Sequence, residues 1–332
     1  MYILKPELLV KGDVILCRFD DELSKRVMKS SNSKFSHAML YWKNSSILES
    51  ADQGVHSENI QRILFDNQDD VVVLRLKTPE SKRKIDSIIL NASTFVGTAY
   101  SYFEACRTKI KNLEIAQEPN RQFCTRFIAQ SFAKSGLEIV ANPDYCTPEE
   151  VLNSNLFERI EGVLKTPTSK EWKILETASL TESQRIITND LLEEARHIAS
   201  EDIQTLEQLC QFLIDHPNYD TELLKSLEGS GYLDLGLEAF VKVPWLFNES
   251  AFHDFLQTES SKEQTCRKIV EIAEDSINQF SSLYGTMMKL HQEYRLQYFF
   301  RLATHYLMTE QFFKASKQIA EAALVNLNEK FS

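Results

Sequence analysis

Arg121-Gln-Phe-Cys-Thr-Arg-Phe-Ile-Ala-Gln-Ser-Phe132 reads as the start of an apolar helix with a thiol in its first turn. Phe127, Ile128, Phe132 and Ala133 recur at helical spacing, and Gly136 supplies a C-terminal stop. Cys124 would then face the unpaired N–H groups and the positive dipole end of a helix start. Both favour the thiolate, the reactive form of cysteine. The plain alternative is a half-buried structural cysteine.

A thiol nucleophile needs a base, and the base needs an orienting group. The stretches upstream of the helix read mostly as strands. Gly12-Asp13 turns into Val14–Arg18, Phe35–Trp42 is a second strand, and Lys43-Asn-Ser-Ser46 turns the chain into a third at Ile47–Ala51. Gly54 reads as a further bend, and Val71–Leu76 as a buried β-branched strand. Residues 20–30 read as a short helix, and Thr78-Pro79 opens one continuous helix to Gly97. Residues 107–121 read as a charged, irregular insert, and Thr147-Pro-Glu-Glu150 as a capping box.

The strands offer two histidines. His37 lies inside the apolar run Phe35-Ser-His-Ala-Met-Leu40, where an idle imidazole is awkward; the plain alternative is a core histidine satisfied by backbone. His56 sits in what reads as a polar turn and is expected to face solvent, so its removal is expected to be nearly silent. Glu49 follows His37 by 12 residues across the turn. A hairpin would set the two side by side on one face, where a carboxylate can fix the imidazole tautomer; otherwise Glu49 is a solvated strand charge. Tyr100 could donate to a developing oxyanion, or simply pack.

Length and charge bound the rest. The chain has 332 residues, enough for two ordinary domains. Residues 1–165 carry 22 Lys and Arg against 22 Asp and Glu, and residues 166–332 carry 15 against 26. Together with the cluster Leu164-Lys-Thr-Pro-Thr-Ser-Lys170, this places a boundary near 165. Beyond it the periodicity is helical, with segments expected near 202–214, 221–228, 261–281, 286–308 and 310–328, and with Gly285 as punctuation. The acidic balance excludes nucleic acid as the main partner, because phosphate contacts need a basic footprint. No apolar run is long enough for a membrane span, and the opening ten residues do not read as a signal peptide. Cysteines at 17, 106, 124, 146, 210 and 266 show no metal or disulfide spacing. A reducing, cytoplasmic setting is expected, with no metal and no cofactor.

Gly12-Asp13-Val-Ile-Leu16, Ser36-His37-Ala-Met-Leu40, Ile47-Leu-Glu49-Ser50, Gly97-Thr-Ala-Tyr100 and Phe123-Cys124-Thr125 together resemble the NlpC-type papain-like hydrolases. In ordinary members the Gly-x-x-Tyr and Cys segments precede the Gly-Asp and His strands. Here they follow, as in the circularly permuted YiiX/YebB-like group, to which lecithin–retinol acyltransferases are related. The resemblance covers roughly residues 10–162. It implies an α+β domain, a small and mostly antiparallel sheet with the cysteine helix packed on it, followed by an all-α region. It also implies a cysteine hydrolase or acyltransferase acting on an amide or ester, with Cys124 as nucleophile, His37 as base, Glu49 as third member and Tyr100 as an oxyanion-side donor. Arg126 and the 107–121 insert would give the cysteine mouth a polar character unlike a lipid groove. The expected substrate is a small molecule, acyl group or peptide. Two other readings stand beside this one: a binding module on a papain-like scaffold, and a peptidoglycan endopeptidase, against which the missing export signal counts. The acidic half, residues 166–332, carries no chemical motif; a protein partner or self-association through faces such as 286–308 is the expectation there.

Overall fold

Asp13 is fully buried, and its carboxylate makes a long-range tie to Arg75. Arg75 Nε and Nη2 donate to its two oxygens at 2.8 and 2.7 Å, and Val10 N–H donates at 2.9 Å. A buried carboxylate survives only when its lone pairs are used in this way. Gly12, just before it, takes φ +89°, and a Cβ there would lie 3.0 Å from Ile85 Cγ1. The Gly-Asp pair therefore serves to seat a strand.

The computed structural model describes residues 1–105, 118–177 and 179–329. Most of the insert expected at 107–121, together with Cys106, lies outside the described residues. The strands are β1 (Ile3–Leu4), β2 (Val14–Cys17), β3 (His37–Lys43), β4 (Ser46–Ala51), β5 (Gly54–Asn59), β6 (Val71–Leu76), β7 (Phe157–Ile160) and β8 (Leu164–Lys165). β1 and β8 form a two-stranded ladder. The others make one six-stranded sheet in the order β5-β4-β3-β2-β6-β7, antiparallel at every pairing. Helix α1 (Glu22–Ser31) is capped by Asp21. The helix expected from Thr78 to Gly97 is two pieces, α2 (Pro79–Lys82) and α3 (Ile85–Ser93), broken where Lys84 turns its ammonium to Gly136 O. Helices α4 (Tyr102–Ala105), α5 (Cys124–Ala133), α6 (Pro148–Leu152) and α7 (Ser169–Glu176) follow.

Both sheet faces are covered. Val14, Leu16, Ala38, Leu40 and Leu48 point to the face on which α3 and α5 pack through Ile88, Ala92, Phe127, Ile128 and Phe132. Ile15, Cys17, Met39, Ile47 and Val73 point to the other, closed by Leu4, Ile60 and Phe65. This is period-2 alternation with both sides buried. The α+β architecture, with an antiparallel sheet carrying the cysteine helix and a helical region after it, is the one the sequence implied.

The chain divides into two compact units, one of residues 1–185 with 202–208 and the other of 186–201 with 209–332. In the first, Arg62 closes the C-terminus of α7 by donating to Ile174 O at 2.7 Å and to Thr177 O. Gln204 accepts from Ala99 N–H at 3.0 Å, and Arg121 pairs with Asp202. The second unit is helical: most of α8 (Leu180–Ala199) and α9 (Leu206–Asp215), then α10 (Asp220–Gly229), α11 (Leu235–Lys242), α12 (Glu249–Gln257), α13 (Lys262–Tyr294) and α14 (Gln297–Glu329). Gly285 does not punctuate as expected. It lies inside α13 with open space beside it, and a single glycine in a helix interior lowers stability by only about 1 kcal/mol. The reversal comes at Arg295, φ +60°, and Asp220 then caps α14 by accepting from Gln297 and Tyr298 N–H. Within 286–308, Tyr298, Phe299, Leu302, Ala303 and Tyr306 are buried, while Phe300 and Met308 are exposed. Among the described residues no helix is long and apolar enough to cross a membrane.

Candidate active site

Cys124 is the first residue of α5, with Phe123 as a non-bonding N-cap. The helix start is pinned from two sides. Thr125 Oγ1 donates to Cys146 O at 2.6 Å, and Gln122 exchanges bonds with the 99–101 segment: Ser101 N–H to Gln122 O at 2.8 Å, and Gln122 N–H to Ala99 O at 2.9 Å. The first intrahelical bond of the turn is Phe127 N–H to Phe123 O. The N–H groups before it carry the partial positive charge that favours an anion at this end. The thiol is 5% exposed and donates to Ser36 O at 3.8 Å.

His37 opens β3 and reaches Glu49 on β4. Its Nε2–H donates to Glu49 Oε2 at 2.5 Å, which leaves Nδ1 as the ring nitrogen not taken by Glu49, and Cys124 is near enough to act on the charge of the ring. The two side chains are not directly opposite each other. Glu49 pairs with Met39, and a bulge between Tyr41 and Lys43 shifts the register. His37 is the diagonal neighbour, two residues along the same face, still within reach of a long side chain.

His56 is where the sequence reading fails. Gly54 opens a strand rather than a bend, and His56 is buried on that strand in register with Glu49. Its Nδ1–H donates to Gly54 O at 2.9 Å, and Nε2 lies 3.5 Å from Glu49 Oε1. Glu49 thus stands between two imidazoles. The strand is held by a close approach that only glycine permits: Gly54 has φ +91°, and a Cβ there would meet Thr98 O at 2.5 Å. Val55 N–H donates to that same oxygen, and Gly97 N–H to Val55 O. These bonds lay the 97–100 loop against β5, so that Tyr100 lines one cleft with His37, Glu49 and His56. The cleft holds about 550 Å³; Cys124 borders it through Ser36 rather than lining it.

Arg126 also departs from expectation. It is fully buried rather than at the mouth, because its charge is matched by Glu104 at 2.6 Å and its Nε donates to Asp144 O at 2.8 Å. The guanidinium lies over the rings of Phe123 and Tyr145. Arg126 ties α5 down and does not colour the site.

The electrostatics follow from this packing. Burial disfavours charge on His37, but its bonds to Cys124 and Glu49 outweigh that and push it up to about 10. Burial would raise Glu49, yet the bond from His37 and then the nearness of His56 hold it well below the usual carboxylate range. Burial pushes the Cys17 and Cys146 thiols well up. Among the described residues no group of three or more His, Cys, Asp or Glu side chains is placed to hold a metal ion.

A raised folded-state pKa means that the native state binds the proton more tightly than the unfolded chain. The stability His37 contributes by this route is full below about 6.5 and is lost as pH rises through about 10. The Tm difference between the wild type and His37→Asn is therefore expected to be largest near pH 6 and to shrink toward pH 10. A difference that grows over that interval would contradict the imidazolium assignment.

Residues 9–164 match the profile of the permuted papain-like amidase enzymes, YaeF/YiiX, C92 family. Among solved structures, the metalloprotein YiiX of Escherichia coli O157:H7 matches at 14% identity and a TM-score of 0.35, over 45% of this chain and 95% of that one. No curated protein matches the chain. Residues 9–164, a little under half of the chain, thus carry the likeness to the permuted papain-like amidases of the YaeF/YiiX type, and the sheet and the cysteine helix lie within them.

Proposed function

We propose that the chain is a cysteine amidase in which Cys124 is the nucleophile, His37 the base, Glu49 the group that orients His37, and His56 the group that steadies Glu49. The observation that carries this reading is the 2.5 Å bond between His37 and Glu49, next to the thiol at the start of α5 that donates to Ser36 O, the residue before His37. In the reaction, His37 holds the thiol proton and the thiolate attacks the carbonyl carbon of an amide or ester. Charge develops on the carbonyl oxygen near the free N–H groups of α5 and the Tyr100 side of the cleft. His37 then gives its proton to the departing amine or alcohol, and a thioacyl-enzyme is left on Cys124. A water deprotonated by His37 hydrolyses it; an amine or alcohol in the same place would make the step an acyl transfer. Residues 1–165 carry this chemistry in our reading, and the helical remainder is assigned protein binding or self-association. A cytoplasmic location is part of the same proposal.

The test is site-resolved alkylation by iodoacetamide near neutral pH. Among the described cysteines accessibility alone favours Cys210, which is half-buried, whereas Cys124 is 5% exposed and Cys17, Cys146 and Cys266 are fully buried. Cys124 is expected to react first regardless, because thiolate content outweighs exposure. Labelling that follows exposure, with Cys210 ahead of Cys124, would remove the nucleophile.

A further inference from the structure

The cleft beside His37 holds one cation without a matching acceptor, and that cation bears on what the enzyme cuts. Taking the amidase reading above as its basis, we propose that Arg185 forms a carboxylate subsite, so that the substrates are amides bearing a free carboxylate.

The other charged groups of the wall are committed. Arg62 donates to Ile174 O and Thr177 O. Glu58 Oε1 accepts from Thr181 Oγ1 and from Asn59 N–H, each at 2.7 Å. Asp21 caps α1 through Ser24, and Glu49 is held by its histidines. Asp52 is exposed at the rim and solvated. Arg185 differs from all of these. Its side chain is only 14% exposed; among the described residues its one ion pair is a loose 3.9 Å contact with the exposed Glu182, and its Nε is buried without a hydrogen-bond partner.

A guanidinium has five N–H donors and cannot shed its charge, so burying it short of acceptors is unfavourable. The acceptor that fits its planar fork is a carboxylate, bound through two parallel bonds. A second group in the same wall points the same way. Ser50 is fully buried, and its Oγ also lacks a partner. Two of the five buried side-chain atoms without a partner among the described residues thus line this one cleft. Charge selects a carboxylate over a phosphate. One uncommitted guanidinium balances one negative charge, and Asp52, Glu58 and Glu49 in the same wall repel a second.

The probes are chloroacetyl-amino acids of increasing length, from chloroacetylglycine upward, each paired with its neutral carboxamide. Cys124 sulfur displaces chloride, a C–S bond forms as the C–Cl bond breaks, and the adduct is counted by mass spectrometry on the full-length protein. At one tether length the acid is expected to alkylate Cys124 at least about tenfold faster than its amide. In Arg185→Gln that ratio, taken within the variant, is expected to fall to about one, and in Arg185→Lys to lie between. Because each ratio is internal, a general loss of reactivity does not mimic the result. Acid and amide reacting alike at every length, a preference that survives Arg185→Gln, or an aminoalkyl reagent outrunning both would overturn the subsite alone. Cys124 inert to acids and amides alike would overturn the amidase reading and the subsite with it.

Discussion

Cys124→Ala and His37→Ala are each expected to lower turnover of an activated ester such as p-nitrophenyl acetate by on the order of 10⁴-fold or more, about 5.5 kcal/mol at the barrier. The expectation rests on the pair acting as one unit. Without Cys124 there is no atom to carry the acyl group, and without His37 the thiol has no base in hydrogen-bonding reach and the departing group no acid. The double variant should therefore be no slower than either single one. Neither side chain is a large element of the core, so both variants should keep the cooperative unfolding of the parent. If His37→Ala stays within tenfold of wild type, His37 is a core histidine and the mechanism must be abandoned. If the double variant is slower than both single ones by a further large factor, the two residues act separately.

How far such a site can be read from sequence depends on whether its residues sit on elements that announce themselves. Cys124 was legible because α5 buries Phe127, Ile128 and Phe132 at helical spacing, which fixes where the helix begins and so which residue meets its dipole. His37 and Glu49 were legible because Lys43–Ser46 is a recognisable turn; only the bulge, which shifts the register by one residue so that Glu49 pairs with Met39 and shares a face with His37, left no mark. His56 was not legible. β5 reads Gly-Val-His-Ser-Glu-Asn, with a single apolar residue and no alternation, because the face that would ordinarily be apolar carries the polar site instead. A strand whose inward face is functional looks like a loop to any argument built on hydrophobic pattern. Arg126 was misplaced for a related reason. A buried cation looks like a surface one until its partner is known, and Glu104 lies 22 residues away across a stretch with no readable pattern.

The second large effect is expected at Glu49, and it separates a positioned carboxylate from a merely buried one. Glu49→Gln is nearly isosteric. The amide oxygen can still accept from His37 Nε2–H, but it no longer stabilises the imidazolium, and a loss of about 10- to 100-fold, ~1.4–2.8 kcal/mol, is expected. His56 should report on the same group from the other side. Its Nδ1 faces Gly54 O, which can only accept, so that nitrogen carries a hydrogen and Nε2 is the atom turned to Glu49 Oε1. With His56→Ala, Oε1 loses that neighbour and the carboxylate is free to rotate off the line to His37. A loss of roughly tenfold in kcat is expected, since misplacing an orienting group weakens the transition state more than binding. His56→Gln, whose amide N–H can reach toward Oε1, should recover part of it; a purely structural role would give no reason for that order. The decisive comparison is the cycle. In the Glu49→Gln background His56→Ala should add little, because the group it steadies has already lost its charge. A silent His56→Ala, which is what a solvent-exposed histidine would give, or losses that simply multiply, would show that His56 does not act through Glu49.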